Sequence, residues 1–390
     1  MNILIDINHP AHVHLLRNAY KELVKRGHKV IVTVKDIPSA KQLLDLYEIP
    51  YIEIGKKDDK LALKGLDQLI YNWRILRLVR KHHIELGIGS SINIAHVSKL
   101  SRMHSIILDD DDDEVEPLFA KYAHPFADVV LSPKETPRAT KKVVYYPAYH
   151  ELAYLHPGAS SQRNGKSGLR LGGHGFTPSP DVLDEAGIAY KKDASGKVTE
   201  VEPYFIMRFN AFKAHHDVGV VGLTIENKRR MLELLSRHGK VFITTERNID
   251  AEFAPYQLRV SPEKAHSLMY YATLFVGDSQ TMTSEAAVLG TPSIRCNTFV
   301  GRIHYLEEEE HRYGLTYGFR PEASEAMFSR VEELLAMGTA ELKKEWEKRR
   351  AVLLGEKIDY TAFLVWFVEN YPQSVEETKN ANEEFWKRFK

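Results

Sequence analysis

The sequence predicts an α/β protein made of two successive parallel-sheet domains. Three observations carry this: short β-branched runs alternate with longer helical patterns, a polar glycine-rich stretch interrupts them, and a second alternation follows. Parallel neighbours need a crossover, which a helix normally supplies. The first strand is Ile3 to Ile7, followed by a helix over residues 11–26 and a strand over 30–34. In that helix Leu15, Ala19 and Leu23 recur every four residues beside Leu16, Tyr20 and Val24, and Gly27 stands where the helix should stop. Helices over 38–47 and 66–82 lead to strands at 51–54 and 86–89, and strands at 105–108 and 128–131 follow. The helix over 66–82 reads as a buried stripe of Trp73, Leu76 and Val79 with a solvated basic edge of Arg74, Arg77, Arg80 and Lys81.

Residues 157–171 include Gly158, Ser160, Ser161, Gly165, Ser167 and Gly168, the composition of a linker. The second alternation has strands at 204–209, 241–244, 257–260 and 273–276, with helices over 225–238 and after Ser261-Pro262, a good cap and first-turn pair. Helices over 322–337, 341–354 and 360–370 carry no strand between them. The expected division is 1–157, a linker at 158–175, a second domain at 176–354, and a terminal helical segment and tail at 355–390.

Composition agrees with two domains. The chain has 390 residues, and domains hold roughly 100–200 each. With 53 Lys+Arg against 53 Asp+Glu it is no basic nucleic-acid scaffold, and 43% hydrophobic content excludes disorder as a description of the whole. The single Cys296 supports neither a disulfide framework nor a multi-cysteine zinc site and fits a reducing compartment. Met1 runs straight into a strand pattern, without a secretion signal, and no apolar run approaches the roughly 18 residues of a membrane span. A cytoplasmic protein is expected.

Ligands of open α/β sheets bind beyond the carboxyl ends of the strands, so chemistry belongs in the loops there. The most informative loop runs from Gly277-Asp278-Ser279-Gln280-Thr281 into a helix with Glu285, ending at Gly290-Thr291-Pro292. A hydroxyl-rich helix start offers backbone N–H groups and a positive dipole end to a phosphate or diphosphate. Glu285, one turn beyond Thr281, would then reach a neutral donor such as a ribose diol. The plainer reading is a cap plus a dipole contact, although Glu285 lies too far from Ser279 for a capping box.

The two β/α halves, this Asp-Ser-x-x-x-x-x-Glu-Ala segment and the following Gly-x-Pro resemble the nucleotide-diphosphate site of GT-B-fold enzymes. That superfamily includes non-hydrolysing UDP-N-acetylglucosamine 2-epimerases and the UDP-GlcNAc transferase of peptidoglycan synthesis, a cell-envelope polysaccharide. Asp6-Ile7-Asn8-His9-Pro10-Ala11-His12-Val13-His14, residues 149–157 beginning Tyr149-His150-Glu151, and Arg312-Tyr313-Gly314-Leu315 resemble domain-of-unknown-function family 354, itself GT-B-like. The resemblance implies two Rossmann-like domains facing a central cleft and a C-terminal helix crossing back to the first. It implies that Glu285 holds ribose hydroxyls and that Ser279, Gln280 and Thr281 face the diphosphate. Epimerases usually show a Gly-Gly pair where this chain has Gln280-Thr281, a departure that would crowd a phosphate.

The loop Asp6 to His14 replaces the glycine-rich turn of many GT-B enzymes with imidazoles and an amide. His9 or His12 would serve as a base or orient a sugar; the alternatives are a structural role, or a metal held by His9, His12 and Asp6. His14 would pack or cap. The run Asp109 to Glu114 with Glu116 reads as a solvated loop feeding acids into a helix start near Pro117, as a sugar-hydroxyl or base site, or as a divalent-metal site. The resemblance argues against a metal and singles out Asp110.

Arg208, ending the strand over 204–209, would neutralise a diphosphate, with Asn210, Lys213, His215, His216 and Asp217 following. Thr244, Thr245, Glu246 and Arg247 end another strand and would line the same pocket, and residues 297–302 after Arg295 are similar to a superfamily loop near the nucleotide. The expected catalytic residues are thus His9, His12 and Asp110; the expected nucleotide-binding residues are Arg208, Thr244, Ser279, Gln280, Thr281 and Glu285. No metal and no cofactor is expected beyond a nucleotide-diphosphate sugar as substrate. The aromatic, basic tail Phe385 to Lys390 would support peripheral membrane or partner contact, or simply the crossing helix. The leading reading is a glycosyltransferase using a UDP-linked or other nucleotide-diphosphate sugar. A UDP-sugar 2-epimerase, needing no acceptor, and a non-catalytic sugar-nucleotide-binding protein are the alternatives.

Overall fold

The computed structural model describes residues 1–56, 61–158, 175–209, 222–245 and 249–390. Most of the linker expected at 158–175, and Asn210, Lys213, His215, His216, Asp217, Glu246 and Arg247, lie outside them. The chain divides into two compact units, Met1–Phe176 with Lys357–Lys390, and Thr177–Glu356.

The first unit opens with β1 (Asn2–Ile7), α1 (Pro10–Lys25), β2 (Lys29–Asp36), α2 (Pro38–Leu46), β3 (Ile52–Lys56) and α3 (Leu61–His82). It continues through β4 (Leu86–Gly89), α4 (Ile92–Ser98), β5 (His104–Leu108), α5 (Pro117–Tyr122), β6 (Val129–Pro133), β7 (Val143–Tyr146) and α6 (Leu152–Leu155). The strands form one sheet in the order β3-β2-β1-β4-β5-β6-β7, parallel at every pairing. β1 is an interior strand, and Ile3, Leu4, Ile5 and Ile7 are buried on both of its faces, as in a sheet covered on each side. Each such side chain contributes roughly 1.5–3 kcal/mol on leaving water. β7 was not foreseen from the sequence.

The core face of α3 is Tyr71, Ile75 and Val79, one helical row that packs with Leu4, Ile94, Ile107 and Val130. This corrects the stripe expected through Trp73. That ring is 56% exposed, with the Arg77 guanidinium 4.7 Å from its centre.

The second unit holds α7 (Asp181–Glu185), the antiparallel pair β8 (Tyr190–Lys192) and β9 (Val198–Val201), β10 (Tyr204–Phe209), α8 (Ile225–Ser236), β11 (Lys240–Thr245) and α9 (Ala265–Tyr271). Then come β12 (Leu274–Gly277), α10 (Gln280–Leu289), β13 (Ser293–Cys296), α11 (His304–His311), β14 (Thr316–Phe319), α12 (Ser324–Ala336) and α13 (Thr339–Glu356). Its main sheet is parallel, in the order β11-β10-β12-β13-β14. The strand expected at 257–260 is only an isolated bridge between Gln257 and Ile243. Ser261 makes no side-chain cap, because its hydroxyl binds Glu263 instead, and a short 3-10 turn precedes α9.

The C-terminal segment packs in the first unit through α14 (Tyr360–Glu369), α15 (Gln373–Lys379) and α16 (Glu383–Trp386). Ile358 N donates to Pro147 O at 3.1 Å, and Thr361 Oγ1 donates to Ala153 O at 2.8 Å. The tail closes on α14: Phe389 is buried, its ring 5.6 Å from Phe363 and 5.5 Å from Trp366. No helix among the described residues is long and apolar enough to cross a membrane.

Candidate functional site

Both sheets reverse strand order once, between β1 and β4 and between β10 and β12, and such switch points are where open α/β sheets leave a crevice. In the first unit Asp6, at the end of β1, is fully buried. Its carboxylate accepts from Thr33 Oγ1 at 2.7 Å, Ser91 Oγ at 2.5 Å and Asn8 Nδ2 at 3.0 Å. Those bonds tie the loop after β1 to β2 and to the turn after β4, so Asp6 builds the loop. Gly89 permits the closeness, since a Cβ there would lie 2.6 Å from Asp6 O and its φ is +149°.

The imidazoles of this loop divide their work. His9 caps α1, its Nδ1 accepting from Ala11 N at 3.2 Å, and Pro10 fills the first helical position. His12 Nδ1 accepts from Asn8 N at 3.4 Å, which leaves the ring proton on Nε2. Burial, with His9 and His150 nearby, lowers the His12 pKa to about 3, so the ring is neutral at physiological pH. His14 packs on Tyr154 and Tyr47, with ring centres 5.4 and 5.8 Å away.

The acidic run is not the solvated loop expected. Asp109 and Asp112 are buried, and the chain brings Arg138 and His124 onto the run. The buried Arg138 guanidinium lies 3.1 Å from Asp109 Oδ2 and 2.8 Å from Asp113 Oδ1, and His124 Nε2 is 2.7 Å from Asp109 Oδ2. Asp109, Asp113 and His124 are close enough together to ligate an ion, but Arg138 already supplies the positive charge. Burial, then Asp110, Glu116 and Asp109, push the Asp111 pKa well up.

Asp110 faces a different partner, His150, whose Nδ1 lies 2.9 Å from Asp110 Oδ2. Burial raises the Asp110 pKa, but the attraction and hydrogen bond of His150 outweigh it and the net direction is down. His150 Nε2 is buried and has no hydrogen-bond partner among the described residues. A buried polar atom left so costs about 1–3 kcal/mol, which is why such atoms are rare outside working sites. The Tyr360 ring, from the returning C-terminal segment, stands 5.5 Å from the His150 ring. His150 lies in a stretch the sequence had marked only as a motif.

In the second unit the switch point is built differently. Thr244, Arg208 and Gly277 are register partners across β11, β10 and β12, and Arg208 Nη1 donates to Thr244 Oγ1 at 3.1 Å. A Cβ on Gly277 would lie 2.9 Å from Arg208 Cβ and 3.0 Å from Arg208 O, so the close pass of these strands needs glycine. Ser279 caps α10, accepting from Met282 N at 3.3 Å. Gln280 and Thr281 form the first turn, where N–H groups have no intrahelical acceptor and the dipole is positive. Asn297 Nδ2 donates to Asp278 O at 2.9 Å and so fastens the loop after β13 to this turn.

Glu285 is buried and pairs with His266 Nε2 at 2.9 Å. His266, on α9, was not singled out from the sequence. The pairing sets one carboxylate oxygen, Oε1, against a ring nitrogen and so holds the side chain in place.

Parallel sheets that each reverse once and a carboxyl-terminal segment returning to the first unit decide the architecture. The chain has the GT-B fold. Residues 1–164 match the family described as "Protein of unknown function (DUF354)". Uncharacterized protein MJ0665 of Methanocaldococcus jannaschii is 22% identical over 328 residues, covering 80% of this chain and 86% of that protein. Among solved GT-B structures, the S. aureus MnaA-UDP co-structure aligns with a TM-score of 0.64 at 11% identity, over 96% of this chain and 98% of that one. UDP-GlcNAc 2-epimerase from Neisseria meningitidis bound to UDP-GlcNAc aligns at 0.61 and 11%, over 95% and 100%. MurG from Acinetobacter baumannii aligns at 0.52 and 14%, over 94% and 99%. At these identities the likeness is one of GT-B fold.

Proposed function

We propose that this chain is a glycosyltransferase that binds a nucleotide-diphosphate sugar, most simply a UDP-sugar, in its second unit. The observation that carries the reading is the meeting of Arg208, Thr244 and the α10 start at one switch point. In it the N–H groups of Gln280 and Thr281, with Ser279 beside them, take the diphosphate, Arg208 offsets its charge with Thr244 alongside, and Glu285 accepts from the ribose hydroxyls. The loops that carry His9, His12 and Asp110 serve the sugar or the acceptor, and no cofactor beyond the sugar nucleotide is used. Structural neighbours solved with UDP and with UDP-GlcNAc support the choice of ligand class.

Epimerisation of a UDP-sugar is the second reading, favoured by the 2-epimerases among the solved structures that the chain resembles. It is disfavoured by the side chains of Gln280 and Thr281 at the helix start. The test is thermal stabilisation by UDP, GDP, CDP, dTDP and ADP, with and without Glu285→Ala. A ligand held only by the folded state adds roughly 2.7 kcal/mol at a hundredfold excess over Kd. A UDP-selective shift that the variant loses is the expected result; no shift with any of the five refutes transfer and epimerisation together. Conversion of a UDP-sugar without acceptor would select epimerisation.

A further inference from the structure

We infer that Asp110 and His150 are the proton-transfer pair of the first unit, with His150 Nε2 accepting the proton of a substrate hydroxyl and Asp110 holding the ring through its Nδ1–H. For its substrate this rests on the transfer reading above. Asp110 Oδ2 stands 2.9 Å from His150 Nδ1, and an ionised carboxylate can only accept, so the ring proton sits on Nδ1 and the lone pair on Nε2. Nε2 is buried and without a hydrogen-bond partner among the described residues. A nitrogen lone pair enclosed in this way is an acceptor site awaiting a donor, and a hydroxyl is the donor the chemistry requires.

The other imidazoles of the loop are less suited to the role. His9 Nδ1 is committed to the cap of α1. His12 spends Nδ1 on Asn8 N and stays neutral down to about pH 3, too weak a base for proton transfer near neutrality. That neutrality helps His150. When Nε2 gains a proton the imidazolium meets the Asp110 carboxylate, whose pKa is held down, and no second imidazolium charge at His12. Other groups around the pair are the phenols of Tyr360 and Tyr146, both pushed upward and hence neutral, the Arg138 guanidinium, and Asp109 and Asp111, whose rise favours the neutral form.

The step balances. The acceptor hydroxyl gives its proton to Nε2 as its oxygen forms the new bond to the anomeric carbon of the donor. The bond from that carbon to the diphosphate oxygen breaks, the nucleoside diphosphate leaves with the electron pair, and the imidazolium later releases its proton to solvent. Asp110 acts through the ring and is a positioning residue.

The test has two arms on the full-length chain. Histidine-selective 15N NMR of the wild type, without any substrate, should show the neutral His150 ring carrying its proton on Nδ1, and Asp110→Asn should redistribute that proton. A neutral His150 ring with its proton on Nε2 would overturn the inference whatever the donor proves to be. The second arm measures UDP release from UDP-N-acetylglucosamine with water as acceptor. His150→Gln should lower it about 100-fold or more and remove the acidic limb of the pH profile, while UDP affinity measured by titration is retained. Asp110→Asn, the smaller change, should give the same loss of the limb. Release within about twofold of wild type in both variants contradicts the pair. Failure of wild type to bind UDP sinks the donor reading instead, and the NMR arm still decides the tautomer.

Discussion

At the first switch point, between β1 and β4, the loop after the strand is packed with side chains that fasten one another. At the second, between β10 and β12, the strand end runs through Gly277 into a capped helix whose first turn presents backbone N–H groups. Each has a glycine where the strands pass closely, Gly89 against Asp6 and Gly277 against Arg208. The same topology thus yields two kinds of site. Titratable side chains suit proton movement, and an oriented helix start suits binding of an anion.

The comparison breaks most severely at the charged base of the first site. Arg138→Ala should destabilise the first unit by about 3–5 kcal/mol, because Asp109 and Asp113 would lose their buried cation; denaturant unfolding reads this directly. Gly89→Ala should follow, at the upper end of about 1–3 kcal/mol, since a Cβ meets backbone oxygen at 2.6 Å in a left-handed conformation. Gly277→Ala should cost less in the same measurement, its nearest contact being 2.9 Å to a side-chain carbon, yet it should disturb Arg208 and weaken nucleotide binding. Ser279→Ala removes one cap bond and should cost about 1 kcal/mol.

Acid should also separate the two sites. His12 takes a proton only near pH 3 when folded but near 6.5 when unfolded, so the unfolded chain binds more protons in between. Its contribution to stability therefore falls as pH drops from about 6.5 towards 3, and His12→Gln should flatten that part of the stability-against-pH curve.

Much of the fold was legible because parallel strands buried on both faces read as short apolar runs between amphipathic helices. β7 and the β8–β9 pair were missed, being three or four residues long and partly exposed. Trp73 was misread because spacing alone does not say which helical row faces the sheet; Ile75, two residues on, does. The loops after β1, β5 and β12 were legible as loops that follow strands. Their partners were not. Arg138, His124, His150 and His266 reach Asp109, Asp110 and Glu285 through tertiary packing, and a run of aspartates looks solvated until distant cations are brought to it.

The central claim is that the second switch point holds the nucleotide while the first handles protons. Calorimetric titration of UDP into the wild type, Glu285→Ala and Asp110→Asn tests it most directly. Loss of a charged hydrogen-bonding partner is worth about 1.5–3 kcal/mol, so Glu285→Ala should weaken UDP by roughly 10- to 150-fold. Asp110→Asn should leave UDP affinity within about twofold of wild type. Weakening by Asp110→Asn with Glu285→Ala unaffected, or no binding of UDP to the wild type, would contradict the account.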